Sequence, residues 1–251
     1  MGGDIKRRLA EIVWDDERMF RLDGVPFALE DWGNFYVGDD AFPVMKPRSY
    51  LDAYAEHLAG LEVRNVVELG IRMGGSTVLF ALLLKPDKMV SLDISKPVKH
   101  LERFRAEDPR GGCIAPVYRT SQDDEQALDD VLGREMDGPL DLVIDDASHH
   151  YQPTRGSFEI LFPRLRPGGV YVIEDWQWAH VPGVNLWRDQ PALSNLVFQL
   201  MMITAGHLDL IAGINLTPGM AFVRKGTREP SCERMDVESL CWMQGRTYHP
   251  L

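Results

Sequence analysis

The stretch RNVVELGIRMGGSTVLFALLLKPDKMVSLDI, Arg64 to Ile94, decides the fold. It opens on a short β-branched run, RNVVEL. A turn containing Gly70, Gly74 and Gly75 follows, then the apolar run STVLFALLL and a second β-rich run, KMVSLDI. Strand, helix, strand is one βαβ unit, and the same alternation continues downstream. VKHLERFRAE, CIAPVYR, DDEQALDDVLGREM, LDLVID, TRGSFEILFPRL and GGVYVIED read as helix and strand in turn. Repeated β-α-β-α predicts a parallel sheet with helices on both faces and right-handed crossovers.

Both ends depart from this rhythm. NLVFQLMMIT reads as a helix, and LDLIAGIN and MAFVRKG read as two strands joined through a Pro-Gly turn, an antiparallel hairpin. At the other end, IKRRLAEIVWDDERMFRL has a helix-compatible spacing at Ile5, Leu9, Ile12, Val13 and Phe20. DWGNFYVGDDAFPVMKP reads as a loop and RSYLDAYAEHLAGL as a second amphipathic helix. The expected organisation is an N-terminal helical and loop extension over residues 1–60, either packing or a lid, and an α/β domain over residues 61–251.

The chain has 251 residues and a formal charge of −11, with a pI near 5.1. A basic face for nucleic acid or an anionic membrane is therefore not expected. No apolar run is long enough to span a bilayer, and the N-terminus lacks a signal-peptide core, so the expected location is cytoplasmic. Cys113, Cys232 and Cys241 are odd in number and lack metal-type spacing. Reduced thiols are the expectation, with a Cys232–Cys241 disulfide as the lesser alternative.

In an open α/β sheet, ligands bind at the carboxyl ends of the strands. Glu68 closes the first strand of the regular region, Gly70, Gly74 and Gly75 make the turn, and a helix starts at about Ser76. This spacing departs from the dinucleotide pattern G-x-G-x-x-G. The next strand ends at Asp93, placed either to accept from ribose hydroxyls or to cap a helix. After the third, TSQDDEQAL offers Ser121 or Asp123 as a helix cap. The turn resembles the E/D-x-G-x-x-x-G-x-S form of small-molecule methyltransferases. That resemblance implies that Gln122 and Asp123 meet an adenine ring. A parallel sheet closed by an antiparallel strand is likewise the class I S-adenosylmethionine methyltransferase arrangement.

DLVIDDASHHYQPT, Asp141 to Thr154, places Asp145, Asp146, His149 and His150 directly after an apolar run. The following strand, GGVYVIEDW, ends in Glu174 and Asp175. Neighbouring strands lie about 4.8 Å apart, so these carboxylates would crowd one sheet edge. Like charges that close repel unless a cation offsets them, and oxygen ligands suit Mg²⁺ or another hard divalent cation. Consecutive strand residues point to opposite faces, so Glu174 and Asp175 can share an ion only if the backbone turns there. His149 is the candidate general base.

IDDASHHYQPT together with GSFEILFPRLRPGGVYVIEDW resembles the metal-dependent sugar O-methyltransferases of antibiotic biosynthesis, the mycinamicin and macrocin group, and the related cephalosporin hydroxylase-like proteins. The resemblance covers residues 64–178. It implies Asp146, Glu174 and Asp175 as Mg²⁺ ligands, His149 as base, and Asp145 facing the methionine portion of S-adenosylmethionine. It also implies a deoxysugar hydroxyl as acceptor and a homo-oligomer. Macrocin-type relatives carry D-x-D, and Ala147-Ser148 departs from that variant. His150 reads as a hydrogen-bonding loop residue. His180, Trp176 and Trp178 read either as acceptor-pocket residues or as ordinary loop and core residues. The alternatives are a catechol-type phenol acceptor, or a non-catalytic adenosyl-binding accessory protein.

Overall fold

The computed structural model describes residues 4–184, 189–241, 244–246 and 248–250. The chain forms two compact units, residues 1–120 and 121–251.

In the first unit the helix expected from Ile5 onward is short. It is α1, Ile5–Ala10, started by the Asp4 side chain accepting from the Lys6 N–H. Beyond it the chain turns to strands: β1 (Val13–Trp14), β2 (Met19–Leu22), β3 (Val25–Leu29) and β4 (Phe42–Val44) form a four-stranded sheet in that order. This corrects the helical and loop reading of residues 1–60. Asp23 and Gly24 both have positive φ, 50° and 79°, and they join β2 to β3 with Leu22 opposite Val25. A two-residue turn with both φ positive matches the strand twist, and Asp-Gly is a favoured pair for it. Phe20 and Phe27 face each other across that hairpin, rings 5.0 Å apart. Such a cross-strand aromatic pair stabilises a sheet. The expected second helix is present as α2, Arg48–His57.

β5 (Asn65–Leu69), β6 (Lys88–Asp93) and β7 (Ile114–Tyr118) then pair in parallel, β6 between the other two. α3 (Gly75–Leu84) and α4 (Lys99–Glu107) lie in the two connections. α3 is apolar on nearly every side and correspondingly buried. Its first residue must be glycine: a Cβ on Gly75 would fall 1.8 Å from the carbonyl oxygen of Pro43 in β4.

The second unit contains α5 (Glu125–Glu135), β8 (Leu140–Asp145), α6 (Tyr151–Leu161), β9 (Leu165–Glu174), α7 (Ser194–Gly206), β10 (Ile211–Thr217), β11 (Met220–Lys225) and α8 (Val237–Leu240). β8 and β9 are parallel, whereas β11 is antiparallel to β9 and β10 to β11. The large sheet runs β10-β11-β9-β8-β5-β6-β7, mostly parallel with the expected antiparallel C-terminal hairpin. β10 is its edge strand, IAGINLT, with no charged side chain and a register shift between Ile211 and Gly213. The C-terminal segment is pinned to α6 by Glu159, which is 4% exposed. Its carboxylate accepts from Arg155 Nε (2.8 Å), Arg234 Nη2 (2.7 Å) and the Val237 N–H (3.2 Å).

Cys113, Cys232 and Cys241 are free thiols, as expected from the sequence. Among the described residues no helix is long and apolar enough to cross a membrane.

Candidate active site

The candidate cofactor residues of the first unit surround the turn after β5. Gly70 has φ +99°, and its N–H donates to the Leu92 carbonyl. Asp93, at the end of β6, holds the same turn from the other side. Its Oδ2 accepts from the N–H groups of Ile71 (2.7 Å) and Arg72 (2.8 Å), and its Oδ1 from Ser95 N–H (2.7 Å). A carboxylate has about four acceptor directions, so one remains for a ligand hydroxyl. Gly74, φ +81°, stands at the N-cap of α3 and carries no side-chain cap, which leaves that end of the helix to backbone donors.

Glu68 and Ser76 are spent on each other. The Glu68 carboxylate, 1% exposed, accepts from Ser76 Oγ (2.7 Å) and Thr77 Oγ1 (2.5 Å). Burial raises its carboxyl above the ordinary range. Both shape the turn from below.

In the second unit Gln122 and Asp145 are also turned inward. Asp145 is 2% exposed and accepts from Gln122 Nε2 (3.0 Å), Ser157 Oγ (2.7 Å) and Tyr171 Oη (2.6 Å). Burial pushes its carboxyl up to about 6. The Gln122 side-chain oxygen accepts the Ser148 N–H at 3.0 Å. This network underlies the loop Asp146–His150 and turns the Asp145 carboxylate, expected to face the methionine portion, into the fold. The reason is positional: all six residues of β8 are buried, and Asp145 is the last of them. Asp123 is exposed and accepts from Ser121 Oγ. Neither Ser157 nor Tyr171 was singled out in the sequence, since only the tertiary fold brings them to Asp145.

Above that network the loop chemistry converges. Asp146, His149 and Asp175 each offer a ligand atom, all within 4.8 Å of one another. His149 Nε2 lies 3.9 Å from Asp146 Oδ1 and 4.0 Å from Asp175 Oδ2, with each side chain about one-fifth exposed. Glu174, the third expected ligand, is outside this group and 1% exposed. Strand alternation explains the difference. Glu174 is still in β9, opposite Met220, whereas the chain leaves the strand at Asp175 with φ +59°. The Asp175 N–H is anchored on the Gly219 carbonyl at 2.6 Å. His149 is also left-handed, φ +56°. Each such non-glycine residue costs on the order of 1–2 kcal/mol, and the two stand in one cluster.

The His149 ring lies nearly parallel to Trp178, 10° between planes and 6.2 Å between centroids. His180 Nε2 is bonded to Ser194 Oγ at 2.7 Å. His150 stands at the N-cap of α6, and burial holds its imidazole below the ordinary range. Two carboxylates and one imidazole this close fit a divalent cation: the oxygens suit Mg²⁺, Mn²⁺ or Ca²⁺, and the nitrogen widens the choice toward transition metals.

Comparison with known proteins agrees with this chemistry. Residues 67–176 match a methyltransferase domain family. Mycinamicin VI 2''-O-methyltransferase of Micromonospora griseorubida is 32% identical over 188 residues, 66% of this chain and 44% of that protein. Demethylmacrocin O-methyltransferase of Streptomyces fradiae is 33% identical over 202 residues, 70% of this chain and 48% of that protein. The chain thus spans about half the length of these relatives. Among solved structures, the MycE methyltransferase in complex with Mg, S-adenosylhomocysteine (SAH) and mycinamycin VI superposes with a TM-score of 0.55 at 30% identity, covering 70% of this chain and 48% of that one. By sheet order, methyltransferase domain and relatives together, the chain belongs to the class I O-methyltransferase family that includes the mycinamicin and macrocin enzymes.

Proposed function

We propose that the chain transfers a methyl group from S-adenosylmethionine to a hydroxyl of a deoxysugar in a natural product. The observation that carries this reading is the Asp146–His149–Asp175 cluster at the carboxyl ends of β8 and β9. Relatives named for O-methylation of rhamnosyl and olivosyl compounds support the acceptor class.

Asp146 and Asp175 would hold the cation, and their two charges fit one divalent ion. A cation there supplies positive charge that eases ionisation of a nearby hydroxyl. S-adenosylmethionine supplies the methyl group as a sulfonium. His149 accepts the hydroxyl proton through Nε2, the edge turned toward both carboxylates. The oxygen gains the methyl, the proton stays on the imidazole, and the sulfonium becomes a neutral thioether. Trp178 lies along the His149 ring and limits its swing. On the first unit, Asp93 and the turn Gly70–Gly74 would take the ribose and the adjoining chain of the cofactor.

Calorimetry with MgCl₂ and SAH, followed by methyl transfer to a panel of deoxysugar glycosides and catechols, tests this. His149→Ala is expected to bind both ligands within a few-fold of the parent and to lose about 10²–10⁴ in turnover. Loss of Mg²⁺ binding in that variant would make His149 a ligand instead. Undiminished turnover after thorough chelation removes the cation from the reaction.

A further inference from the structure

The end of β9 runs onto the tip of the terminal hairpin. Glu174 pairs with Met220, and Met220 pairs across the hairpin with Thr217, so Pro218 and Gly219 alone form the turn between β10 and β11. That turn departs from ordinary hairpin chemistry. Two-residue hairpins favour turns whose first central residue has positive φ, because their twist matches that of the strands. The ring of Pro218 fixes φ near about −65°, so neither favoured turn can form. Gly219 has φ +97°, and proline followed by a glycine of positive φ is the type II combination. A type II turn splays the strands it joins. Closing the hairpin is therefore not what these two residues do best.

The hydrogen bonds show what the tip does hold. The Asp175 N–H donates to the Gly219 carbonyl at 2.6 Å, and the Trp176 indole Nε1–H donates to the Thr217 carbonyl at 3.3 Å. The two acceptors stand on either side of Pro218. Between them they fix the first two residues beyond β9. Asp175 has φ +59°, a conformation that a non-glycine residue keeps only where its surroundings over-determine it. The same residue places its Oδ2 4.0 Å from His149 Nε2.

We propose that Pro218, Gly219 and Trp176 are positioning residues for the cation: the hairpin tip clasps the backbone at Asp175 and so sets where its carboxylate stands. This rests on the reading of Asp146, His149 and Asp175 as a cation site. The three side chains carry no oxygen or imidazole to offer a metal, so they act through Asp175. The test is calorimetric titration of MgCl₂ into the full chain, with SAH titrated separately and melting recorded beside both. Pro218→Asn puts the most favoured hairpin pair at the tip, so the melting temperature should hold or rise. The Gly219 carbonyl is then re-aimed, and Mg²⁺ should bind at least about fivefold more weakly. Trp176→Phe keeps a ring and removes the indole N–H; one neutral hydrogen bond corresponds to a loss of about two- to tenfold in Mg²⁺ affinity. SAH affinity should stay unchanged in both variants, which separates displacement of Asp175 from general loosening. Parent-like Mg²⁺ affinity in either variant overturns the clasp. So does a Pro218→Asn chain whose Mg²⁺ affinity, SAH affinity and melting temperature all fall together. A parent chain that binds SAH but no Mg²⁺ would refute the cation reading and this one with it. Failure of SAH to bind would refute the methyl-transfer reading and leave the Mg²⁺ titrations to judge the clasp.

Discussion

Glu159→Ala is expected to loosen the C-terminal segment and lower stability by about 2–4 kcal/mol. The carboxylate is nearly buried and takes hydrogen bonds from three donor groups: Arg155, Arg234 and the Val237 backbone. A hydrogen bond to a charged group contributes about 1.5–3 kcal/mol, and an orphaned buried N–H costs about 1–3. The Arg155 side chain, 17% exposed, keeps Glu238 at 3.2 Å, so only part of its loss remains. Arg234 is 43% exposed and retains Glu125, and its share is close to that of a surface pair, about 0–1 kcal/mol. Val237 is 0% exposed, so its N–H dominates the cost. At roughly 2–4 °C per kcal/mol for a chain of this size, the melting temperature should fall by about 10 °C. Urea unfolding gives the free energy, and limited trypsinolysis read by mass spectrometry gives the location. Cleavage after Arg228 or Arg234 should accelerate at temperatures well below the melt. Glu159→Gln, which keeps an acceptor, should lose about half as much. An alanine variant within about 0.5 kcal/mol of the parent, with an unaltered cleavage pattern, would show that Glu159 does not hold this segment.

Gly75→Ala should destabilise by at least about 1–3 kcal/mol and weaken SAH binding, because the new methyl meets a backbone oxygen that cannot rotate away; unchanged melting and calorimetry would contradict this. Burial lowers the Lys225 ammonium to about 8, while its Nζ lies 3.3 Å from the carbonyls of Phe162 and Pro163. The unfolded chain keeps that proton up to about 10.4, so it binds more protons than the folded chain between about 8 and 10.4, and this group's contribution to stability rises with pH in that window. The difference between parent and Lys225→Met in urea titrations should show that slope, up to about 1.4 kcal/mol per pH unit, and a flat difference would refute it.

The parallel core was legible because its strands are continuous apolar runs, and LDLVID is buried along its whole length. The cation cluster was legible in part. Asp146 and His149 follow from position in the loop, but whether Glu174 or Asp175 joins them depends on the residue at which β9 ends. That is a one-residue question, and one residue reverses the face. The N-terminal sheet was misread because apolar residues between Ile5 and Phe20 satisfy a helical spacing by coincidence. The Asp23-Gly24 turn, flanked by MFRL and VPFAL, was the available hairpin signal. Asp145 and Gln122 were read for a cofactor contact, and the partners their side chains have in the fold, Ser157, Tyr171 and Ser148, left no local trace. The Arg72–Glu30 pair joins positions 42 apart and leaves no local trace.

β10 has a further consequence for handling the protein. Its seven residues form the border of the large sheet, carry no ammonium or carboxylate, and leave Leu216 45% exposed. Unpaired amides on such a border invite another chain to add on. The bend at Gly213 disturbs only its beginning. What keeps molecules apart is then the excess of eleven negative charges spread over the rest of the chain, a repulsion that reaches about 10 Å at 0.1 M salt and about 3 Å at 1 M. Colloidal stability should therefore be poorest in concentrated salt and in buffers near pH 5.1, where that repulsion is screened or vanishes.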